Sequence, residues 1–405
     1  MINVIGLGYI GLPTALMFAA HGESVVGTDC NKDVVEKLKM ENIDSKENGL
    51  RELFTLGKKN IKFSNDYIST DMYIISVPTP YDKNTKKIDP SYVVDAVKKI
   101  VEICLDNAVI VIESTISPGT IDVHIRNILA EQNVRLKKKL NIVHAPERII
   151  PGNMINELKY NARVIGADDK NVAEFVKKKY ASFCRGEIVT TDIKTAEMTK
   201  VVENTYRDVN IAFANELSKI CRLAEIDVHE VIRIANMHPR VSILQPGPGV
   251  GGHCIAVDPW FLVGDYPQVT KVVLAARQVN SSMPEFVLNR ISDIMLQHNI
   301  RDVSRLGLYG MTYKENIDDV RESPTLQLIE LMNKNLAFGA SVYDPFVNYK
   351  LVENQVFNFD EFLGGIDILV VMVAHDEILH AYSKIEDKII LDTKNVLKNK
   401  KVYNL

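Results

Sequence analysis

A glycine-rich turn near the beginning of the chain restricts the possible folds more than any other segment. Gly6, Gly8 and Gly11 stand in the sequence GLGYIG, between an apolar run at 2–6 and a helical pattern at 12–20. Gly6 permits a tight turn, Gly8 lets backbone N–H groups approach a ligand, and Gly11 allows close packing of helix on strand. A strand, this turn and a helix predict the first unit of a parallel α/β sheet.

Apolar, β-branched runs alternate with helical patterns over the first half of the chain and again near its end. Runs at 24–29, 72–77, 108–113, 140–145 and 163–166 continue a parallel sheet, and a second alternation begins at 306. Between them, apolar residues recur at helical spacing over 195–225, which predicts one long helix. We therefore expect an α/β fold with two doubly wound Rossmann-like domains joined by a long central helix. The expected domains are 1–192, 193–300 (central, helical, with dimerisation and active-site residues) and 301–405.

Composition excludes several classes of protein. The 405 residues are too many for one ordinary core, the formal net charge is −4, and the five cysteines are scattered. No apolar run reaches the roughly 18 residues that a membrane span needs. We therefore expect a cytoplasmic protein that binds neither nucleic acid nor membrane.

The glycine turn and the strand after it predict a dinucleotide site in 1–192. The second strand ends in Asp29, 18 residues after Gly11. An acid there accepts the ribose hydroxyls of NAD and repels the 2′-phosphate of NADP, while the helix N-terminus stabilises a pyrophosphate. NAD is therefore the expected cofactor. The C-terminal repeat has Gly307 and Gly310 but lacks the full fingerprint, so we expect it to hold a different nucleotide.

A second glycine-rich segment, PGPGVGGHC at 246–254, ends in Cys254, and Asp258 follows four residues later. Its four glycines allow positive φ and close approach to a ligand. The thiolate is the reactive form of cysteine, and a nearby cation such as Lys200 would favour it. No metal site is expected, because no CxxC or HxxxH spacing accompanies His253 and Cys254.

An NAD site combined with an activated cysteine predicts the oxidation of an alcohol to an acid. Hydride removal gives an aldehyde, thiolate addition gives a thiohemiacetal, and a second hydride removal gives a thioester that water hydrolyses. One further pattern stays open. Four polar residues of the long helix share one face, which is either solvated or part of the site: Glu197, Lys200, Asn204 and Asp208.

Over essentially its whole length the chain resembles the UDP-glucose/GDP-mannose dehydrogenase family. The matching segments are GLGYIG at 6–11, VPTP at 77–80, EST at 113–115, APER at 145–148, the long helix, the cysteine loop and YKENIDDVRESPT at 313–325. Within the family the chain is most similar to the bacterial UDP-N-acetyl-D-mannosamine dehydrogenase branch, on RDVNIAFANE, HPRVSILQPGPG and the histidine before the cysteine. UDP-glucose dehydrogenases typically have serine there.

The resemblance implies roles for individual residues. Cys254 would be the nucleophile, and Lys200 and Asn204 would position a water and stabilise the oxyanion. Glu147 and Asp258 would assist proton transfer and hydrolysis. The implied cofactor contacts are Gly6, Gly8, Tyr9, Ile10, Gly11, Asp29, Thr79, Thr115 and Arg321. The implied contacts to the UDP-sugar are Arg148, Arg207, His238, Arg240, Gly251 and Lys314.

Four of these residues have an alternative, structural interpretation. His238 precedes a proline and could be a turn residue, while Arg207 and Lys314 could be solvated surface residues. Arg321 is flanked by acids and could serve an ion pair.

The implied substrate is a UDP-N-acetylhexosamine, and the implied reaction is four-electron oxidation of UDP-N-acetyl-D-mannosamine at C6. UDP-N-acetyl-D-glucosamine is the first alternative substrate, and UDP-glucose is the next. Two different functions stay open as well, a two-electron β-hydroxyacid dehydrogenase and a non-catalytic NAD-binding protein. The apolar long helix favours a homodimer, and a tetramer stays open. The family's arrangement implies that Arg240 reaches the site of a neighbouring subunit.

Overall fold

Two separate β-sheets organise the chain in a computed structural model that describes residues 1–43, 47–136, 139–150, 152–335, 337–397 and 402–405. The chain divides into two units, Met1–Glu203 and Asn204–Leu405, and each unit contains one of the sheets. The division into 1–192, 193–300 and 301–405 stays a prediction. Within the described ranges, no helix combines the length and the apolar character that crossing a bilayer requires.

The first unit is built on an eight-stranded sheet. Its strands are β1 (Ile2–Ile5), β2 (Val25–Thr28), β3 (Ile61–Ser64), β4 (Met72–Ile75), β5 (Val109–Ile112), β6 (Asn141–His144), β7 (Arg163–Ala167) and β8 (Ile188–Thr191), in the order β3-β2-β1-β4-β5-β6-β7-β8. Its helices are α1 (Gly11–Ala20), α2 (Lys32–Lys39), α3 (Leu50–Gly57), α4 (Ser91–Ile103), α5 (Arg126–Leu136), α6 (Met154–Tyr160) and α7 (Lys170–Tyr180), with a π-helical turn at Ile121–Ile125.

The central strands of this sheet are buried on both faces. Every residue of β1, β4 and β5 is buried, and separate apolar clusters cover the two sides. This burial is why the strands read as continuous apolar runs rather than alternating ones. The doubly wound architecture expected from the sequence is confirmed for this sheet.

The direction of the last two strands differs from the expectation of an all-parallel sheet. β7 pairs antiparallel with β6 through Val143↔Ala167 and His144↔Gly166, and β8 is parallel to β7. The expectation was wrong here because burial on both faces gives the same residue pattern for either strand direction. β3 was missed because it is a short edge strand that is only partly buried.

The predicted long helix is present as α8 (Ile193–Leu223), and the boundary between the two units falls within it. It ends shortly before Glu225, which has a φ of +56°. The N–H of Ile226 then donates to the carbonyl of Cys221. A left-handed residue just after the last turn is a common way to terminate a helix.

The second unit is built on a parallel five-stranded sheet with the order β10-β9-β11-β12-β13. The strands are β9 (Leu306–Tyr309), β10 (Ser341–Tyr343), β11 (Ile368–Val371), β12 (Ile389–Asp392) and β13 (Val402–Asn404). The helices after α8 are α9 (Val228–Ala235), α10 (Asp258–Asp265), α11 (Lys271–Ser281), α12 (Met283–Gln297), α13 (Pro324–Lys334), α14 (Phe359–Gly364), α15 (Asp376–Leu379) and α16 (Tyr382–Ile385).

The turn after the first strand of this second sheet contains a glycine with positive φ, as the corresponding turn of the first sheet does. Gly310 has a φ of +92°, compared with +87° for Gly6. Asp344, after β10, accepts the N–H groups of Met311 and Thr312 at 2.5 and 3.0 Å. Asp344 is buried and lies within hydrogen-bond distance of His375, at 3.2 Å. Its carboxylate therefore binds groups of the protein itself.

Candidate active site

The glycine turn of the first unit leaves one open position between two packed ones. A Cβ on Gly6 would lie 2.6 Å from the carbonyl oxygen of Ser76, and one on Gly11 would lie 1.8 Å from the carbonyl oxygen of Gly6. A Cβ on Gly8 would meet no atom within 4 Å. The first and third glycines are therefore required by packing, while the backbone at Gly8 faces open space that a pyrophosphate could enter.

Asp29 lies against the same turn. Its Oδ2 accepts the N–H of Leu7 at 2.8 Å, and its Oδ1 accepts the N–H of Asn31 at 2.8 Å. A second pair of expected cofactor contacts also comes together, because the Thr79 hydroxyl donates to the Thr115 carbonyl at 2.7 Å.

The remaining expected cofactor contacts are more dispersed. Tyr9 is exposed and Ile10 is partly buried in the glycine turn. Arg321 belongs to the second unit. Its contact with NAD stays a prediction.

Glu147 is held in a buried charge cluster of the first unit. Arg163 forms an ion pair with Glu147 Oε2 and approaches Glu113 Oε1 at 3.4 Å. The backbone N–H of Arg148 donates to Glu147 Oε1 at 2.7 Å. Ser76, which contacts the glycine turn, donates to Glu113 Oε2 at 2.6 Å. Burial raises the pKa of Glu113 to about 7, although Arg163 opposes the rise.

Arg163 was not predicted from the sequence as a functional residue. The sequence feature that could have indicated its role is an arginine at the start of an otherwise apolar strand. An unpaired charge buried at such a position would destabilise the fold. The structure supplies the partners: one acid from the EST segment and one from the APER segment.

Three of the four residues in the polar stripe of α8 are buried and Asn204 is partly buried, so the interpretation of the stripe as a solvated face was wrong. Glu197 is fully buried and accepts the N–H groups of Gly119 and Ile121 at 2.6 and 3.0 Å. Lys200 and Asp208 are also buried. Lys200 belongs to the first unit, and its approach to Cys254 stays a prediction.

The cysteine loop has an irregular backbone, with two of its glycines in the left-handed region. Gly249 and Gly252 have φ values of +139° and +83°. Gly247 and Gly251 lie outside that region, so that part of the expectation was wrong. Gly251 is needed for space instead, because its Cβ would lie 2.6 Å from the carbonyl oxygen of Glu322.

Cys254 is exposed at the end of this loop, one turn before α10. Its carbonyl accepts the N–H of Asp258 at 2.8 Å. The buried Asp258 carboxylate accepts the side-chain amide of Asn204 at 2.5 Å. Asn204 and Asp258, 54 positions apart in sequence, therefore meet, and the backbone of Asp258 is bonded to the residue that carries the thiol.

Arg321 lies within electrostatic reach of Cys254. It binds both oxygens of Asp319, through Nε at 2.9 Å and Nη2 at 2.6 Å, so the structural ion pair is present. Hydrogen bonding to Asp319 raises the pKa of Arg321, and the negative form of Cys254 acts in the same direction. Burial lowers the pKa of His253, and Arg321 lowers it further. A cation beside the thiol was expected from the sequence, but Lys200 was the residue named.

The expected contacts to the UDP-sugar lie in different segments. Arg148 pairs with Glu203 at 2.8 Å in the first unit. In the second unit, Arg207, His238 and Arg240 are exposed and Lys314 is partly buried. His238 Nδ1 accepts the N–H of Arg240 at 3.3 Å, so it does form the turn contact. These sugar contacts stay predictions.

Comparison with family models extends this description to nearly the whole chain. Residues 1–184, 194–282 and 307–399 match the NAD binding domain, the central domain and the UDP binding domain of the UDP-glucose/GDP-mannose dehydrogenase family.

Among individual relatives, a UDP-N-acetyl-D-mannosamine dehydrogenase from Methanococcus maripaludis is 43% identical over 98% of this chain and 93% of its own length. An NDP-N-acetyl-D-galactosaminuronic acid dehydrogenase from Ralstonia nicotianae is 35% identical over 99% of this chain and 97% of its own length.

Solved structures agree with the sequence relatives. A UDP-D-ManNAc dehydrogenase from Pyrococcus horikoshii aligns with a TM-score of 0.90 at 34% identity, over 100% of this chain and 98% of the other. A UDP-N-acetyl-mannosamine dehydrogenase from Staphylococcus aureus aligns with a TM-score of 0.88 at 38% identity, over 100% and 97%.

Proposed function

Because the chain belongs to the UDP-glucose/GDP-mannose dehydrogenase family, a family of NAD-dependent nucleotide-sugar oxidoreductases, we propose that it oxidises UDP-N-acetyl-D-mannosamine at C6 to the uronic acid. The observation that carries the proposal is the exposed Cys254, whose carbonyl binds the N–H of Asp258, together with the hydrogen bond between the Asp258 carboxylate and Asn204. A cysteine used only for packing would be buried and would not need these partners.

The first unit fits NAD. The open position at Gly8, the packed turn at Gly6 and Gly11 and the carboxylate of Asp29 are the features such a cofactor requires. NAD supplies the hydride acceptor, once for the alcohol and once for the thiohemiacetal.

The residues of the second unit carry the covalent chemistry. The Cys254 thiolate adds to the aldehyde carbonyl, and its sulfur stays bonded to C6 until water displaces it from the thioester. Asn204 donates toward the oxyanion, and Asp258 fixes the Asn204 amide by accepting its N–H. Arg321 favours the thiolate by its charge.

The first unit contributes to hydrolysis in this proposal. Lys200 supplies a second donor toward the oxyanion, and this one is positively charged. The Glu147 carboxylate accepts the proton of the attacking water, and the Arg163 ion pair fixes its orientation.

The proposal predicts that two NADH form for each sugar consumed. Purified protein would be mixed with excess NAD and limiting UDP-N-acetyl-D-mannosamine, and NADH would be followed by its absorbance. Balance of the reaction, in which the alcohol, two NAD⁺ and one water give the acid, two NADH and two protons, requires this ratio. A ratio of one would contradict the four-electron mechanism.

The same assay with other sugars tests the substrate. UDP-N-acetyl-D-glucosamine, UDP-N-acetyl-D-galactosamine and UDP-glucose are the matched controls, since they differ in the configuration of the ring or at the C2 substituent. If one of them has a higher kcat/KM than UDP-N-acetyl-D-mannosamine, that sugar becomes the assigned substrate. NAD binding without NADH from any UDP-sugar would favour the non-catalytic alternative.

We propose in addition that the protein is a homodimer joined through α8. Tyr206, Phe213 and Ile220 recur every seven residues on this helix, and their side chains are 66%, 52% and 52% exposed. An apolar stripe with this period is typical of helix pairing. A second copy of the chain supplies an identical stripe, as a two-fold interface requires.

We expect Phe213→Glu to weaken the dimer, because it introduces a charge into the apolar stripe. The dimer dissociation constant should rise about 30-fold or more, as for an interface hot spot of ~2 kcal/mol. Sedimentation velocity would measure it, with Leu56→Glu as the control, because Leu56 is 70% exposed and belongs to α3 rather than to α8. An unchanged association state in Phe213→Glu would argue against this interface.

The cytoplasm is the compartment we propose. None of the five cysteines is in a disulfide, and exposed thiols persist best in a reducing environment. The proposed nucleophile would be lost to oxidation elsewhere.

A further inference from the structure

The cysteine loop is held from its buried side by a relay of side-chain hydrogen bonds. The N–H of Gly247, at the beginning of the loop, donates to Asn215 Oδ1 at 2.8 Å. Asn215 Nδ2 donates to Asn280 Oδ1 at 2.8 Å. Asn280 Nδ2 donates to Asp208 Oδ1 at 2.7 Å. The relay therefore joins α8, α11 and the loop within the second unit.

The relay has a fixed direction. Each amide oxygen accepts one N–H and each amide nitrogen donates onward, Asn280 to both the carbonyl and the carboxylate of Asp208. The series of donors ends at the Asp208 carboxylate, which can only accept when ionised. Rotating the Asn215 amide by half a turn would place its NH₂ group against the N–H of Gly247. All three side chains are at most 1% exposed, so water cannot replace a lost partner.

Arg277 balances the charge at the end of the relay. Its Nη1 donates to Asp208 Oδ1 at 2.6 Å. Burial raises the pKa of Asp208, and Arg277 opposes that rise by stabilising the carboxylate. The Arg277 guanidinium also lies 5.6 Å from the ring of Trp260, two residues after Asp258. The buried pair thus contacts the segment after Cys254 directly, and it is linked to the loop before Cys254 through Asn280 and Asn215.

From this geometry we propose that Asp208, Asn280 and Asn215 are positioning residues that set the conformation of the cysteine loop and thereby present the Cys254 thiol for attack. They act through the loop and have no assigned contact to the substrate. The proposal rests on the proposed function only for its effect on turnover, since the reactivity of the thiol can be measured without substrate.

The test uses Asn215→Leu, which keeps the approximate volume of the side chain and removes both of its relay contacts. The Gly247 N–H then loses its acceptor, and a displaced thiol costs about 10- to 100-fold in kcat. The KM for NAD should not change. In the full-length protein without substrate, alkylation of Cys254 by iodoacetamide, followed by peptide mass spectrometry, should change by a similar factor.

Two comparisons separate positioning from general damage. Ser218→Ala is the matched control, because Ser218 is fully buried on α8 and its hydroxyl donates to the carbonyl of Asn215 within the same helix. Asn280→Leu should match Asn215→Leu, and the double variant should be no slower than the slower single variant, because one broken relay cannot be broken again.

If the losses of kcat in the two single variants add in the double variant, the proposal that the three residues act as one relay is contradicted. An alkylation rate in folded Asn215→Leu that equals the rate of the unaltered protein would contradict it as well. If the unaltered protein oxidises no UDP-sugar, the proposed function fails while the alkylation comparison still decides the relay.

Discussion

Cys254→Ser is expected to abolish formation of the acid, with a loss of about 10³-fold or more in its rate. A serine hydroxyl stays protonated at neutral pH and is therefore a far weaker nucleophile than a thiolate. Without the covalent adduct, the second oxidation has no thiohemiacetal to act on. Product analysis by mass spectrometry, together with NADH release, would measure the loss.

Cys30→Ser is the control for this experiment, because Cys30 is the other exposed cysteine. It should retain two NADH per sugar. Supplying the C6 aldehyde directly to Cys254→Ser isolates the second half of the reaction, which should stay blocked. Acid formation by Cys254→Ser at an undiminished rate would contradict the assignment of the nucleophile.

Local sequence was sufficient to predict the parts of the site that are built from neighbouring segments of the chain. The roles of Gly6, Gly8 and Gly11 follow from a strand, a turn and a helix that are contiguous in sequence. The structure shows close packing at Gly6 and Gly11 and open space at Gly8. Asp29 was found in the same way, since the end of the next strand in a Rossmann-like unit lies beside the turn.

The environment of α8 could not be predicted locally. The helical period places Glu197, Asn204 and Asp208 on one face, but the period does not say what covers that face. The partners lie far along the chain: Gly119 is 78 positions from Glu197, Asp258 is 54 from Asn204, and Arg277 is 69 from Asp208. A buried polar stripe and a solvated one therefore look the same in sequence.

Arg163 shows the same limitation for charged residues. Its two acidic partners stand in motifs that were interpreted for other roles, 50 and 16 positions away. Nothing local indicates that β5, the segment after β6 and β7 bring these three side chains together. The antiparallel pairing of β6 with β7 contributes to this arrangement and was itself unexpected.

The Arg163 cluster leads to the second large effect. We expect Arg163→Met to lower the free energy of unfolding by about 3–5 kcal/mol, because it leaves two buried carboxylates without a counter-charge. The Arg163, Glu113 and Glu147 side chains are only 4%, 0% and 5% exposed, so solvent cannot compensate. The shift of the urea unfolding midpoint, compared with Arg163→Lys, which keeps the charge, would measure the loss.

The pH dependence of the free energy of unfolding tests the contribution of Glu113 to this cluster. Its pKa is raised in the folded protein from 4.5 to about 7 mainly by burial, so its contribution to stability is complete below pH 4.5 and is lost as the pH rises through 7. Between pH 5.5 and 8 the loss of stability from Glu113 amounts to about 2 kcal/mol, and Glu113→Gln should remove that part of the pH dependence.

The double variant Arg163→Met/Glu113→Gln should recover part of the stability at pH 8, because only one unpaired carboxylate remains. If Arg163→Met unfolds at the same urea concentration as the unaltered protein at pH 8, the cluster does not carry the charge balance inferred from its geometry.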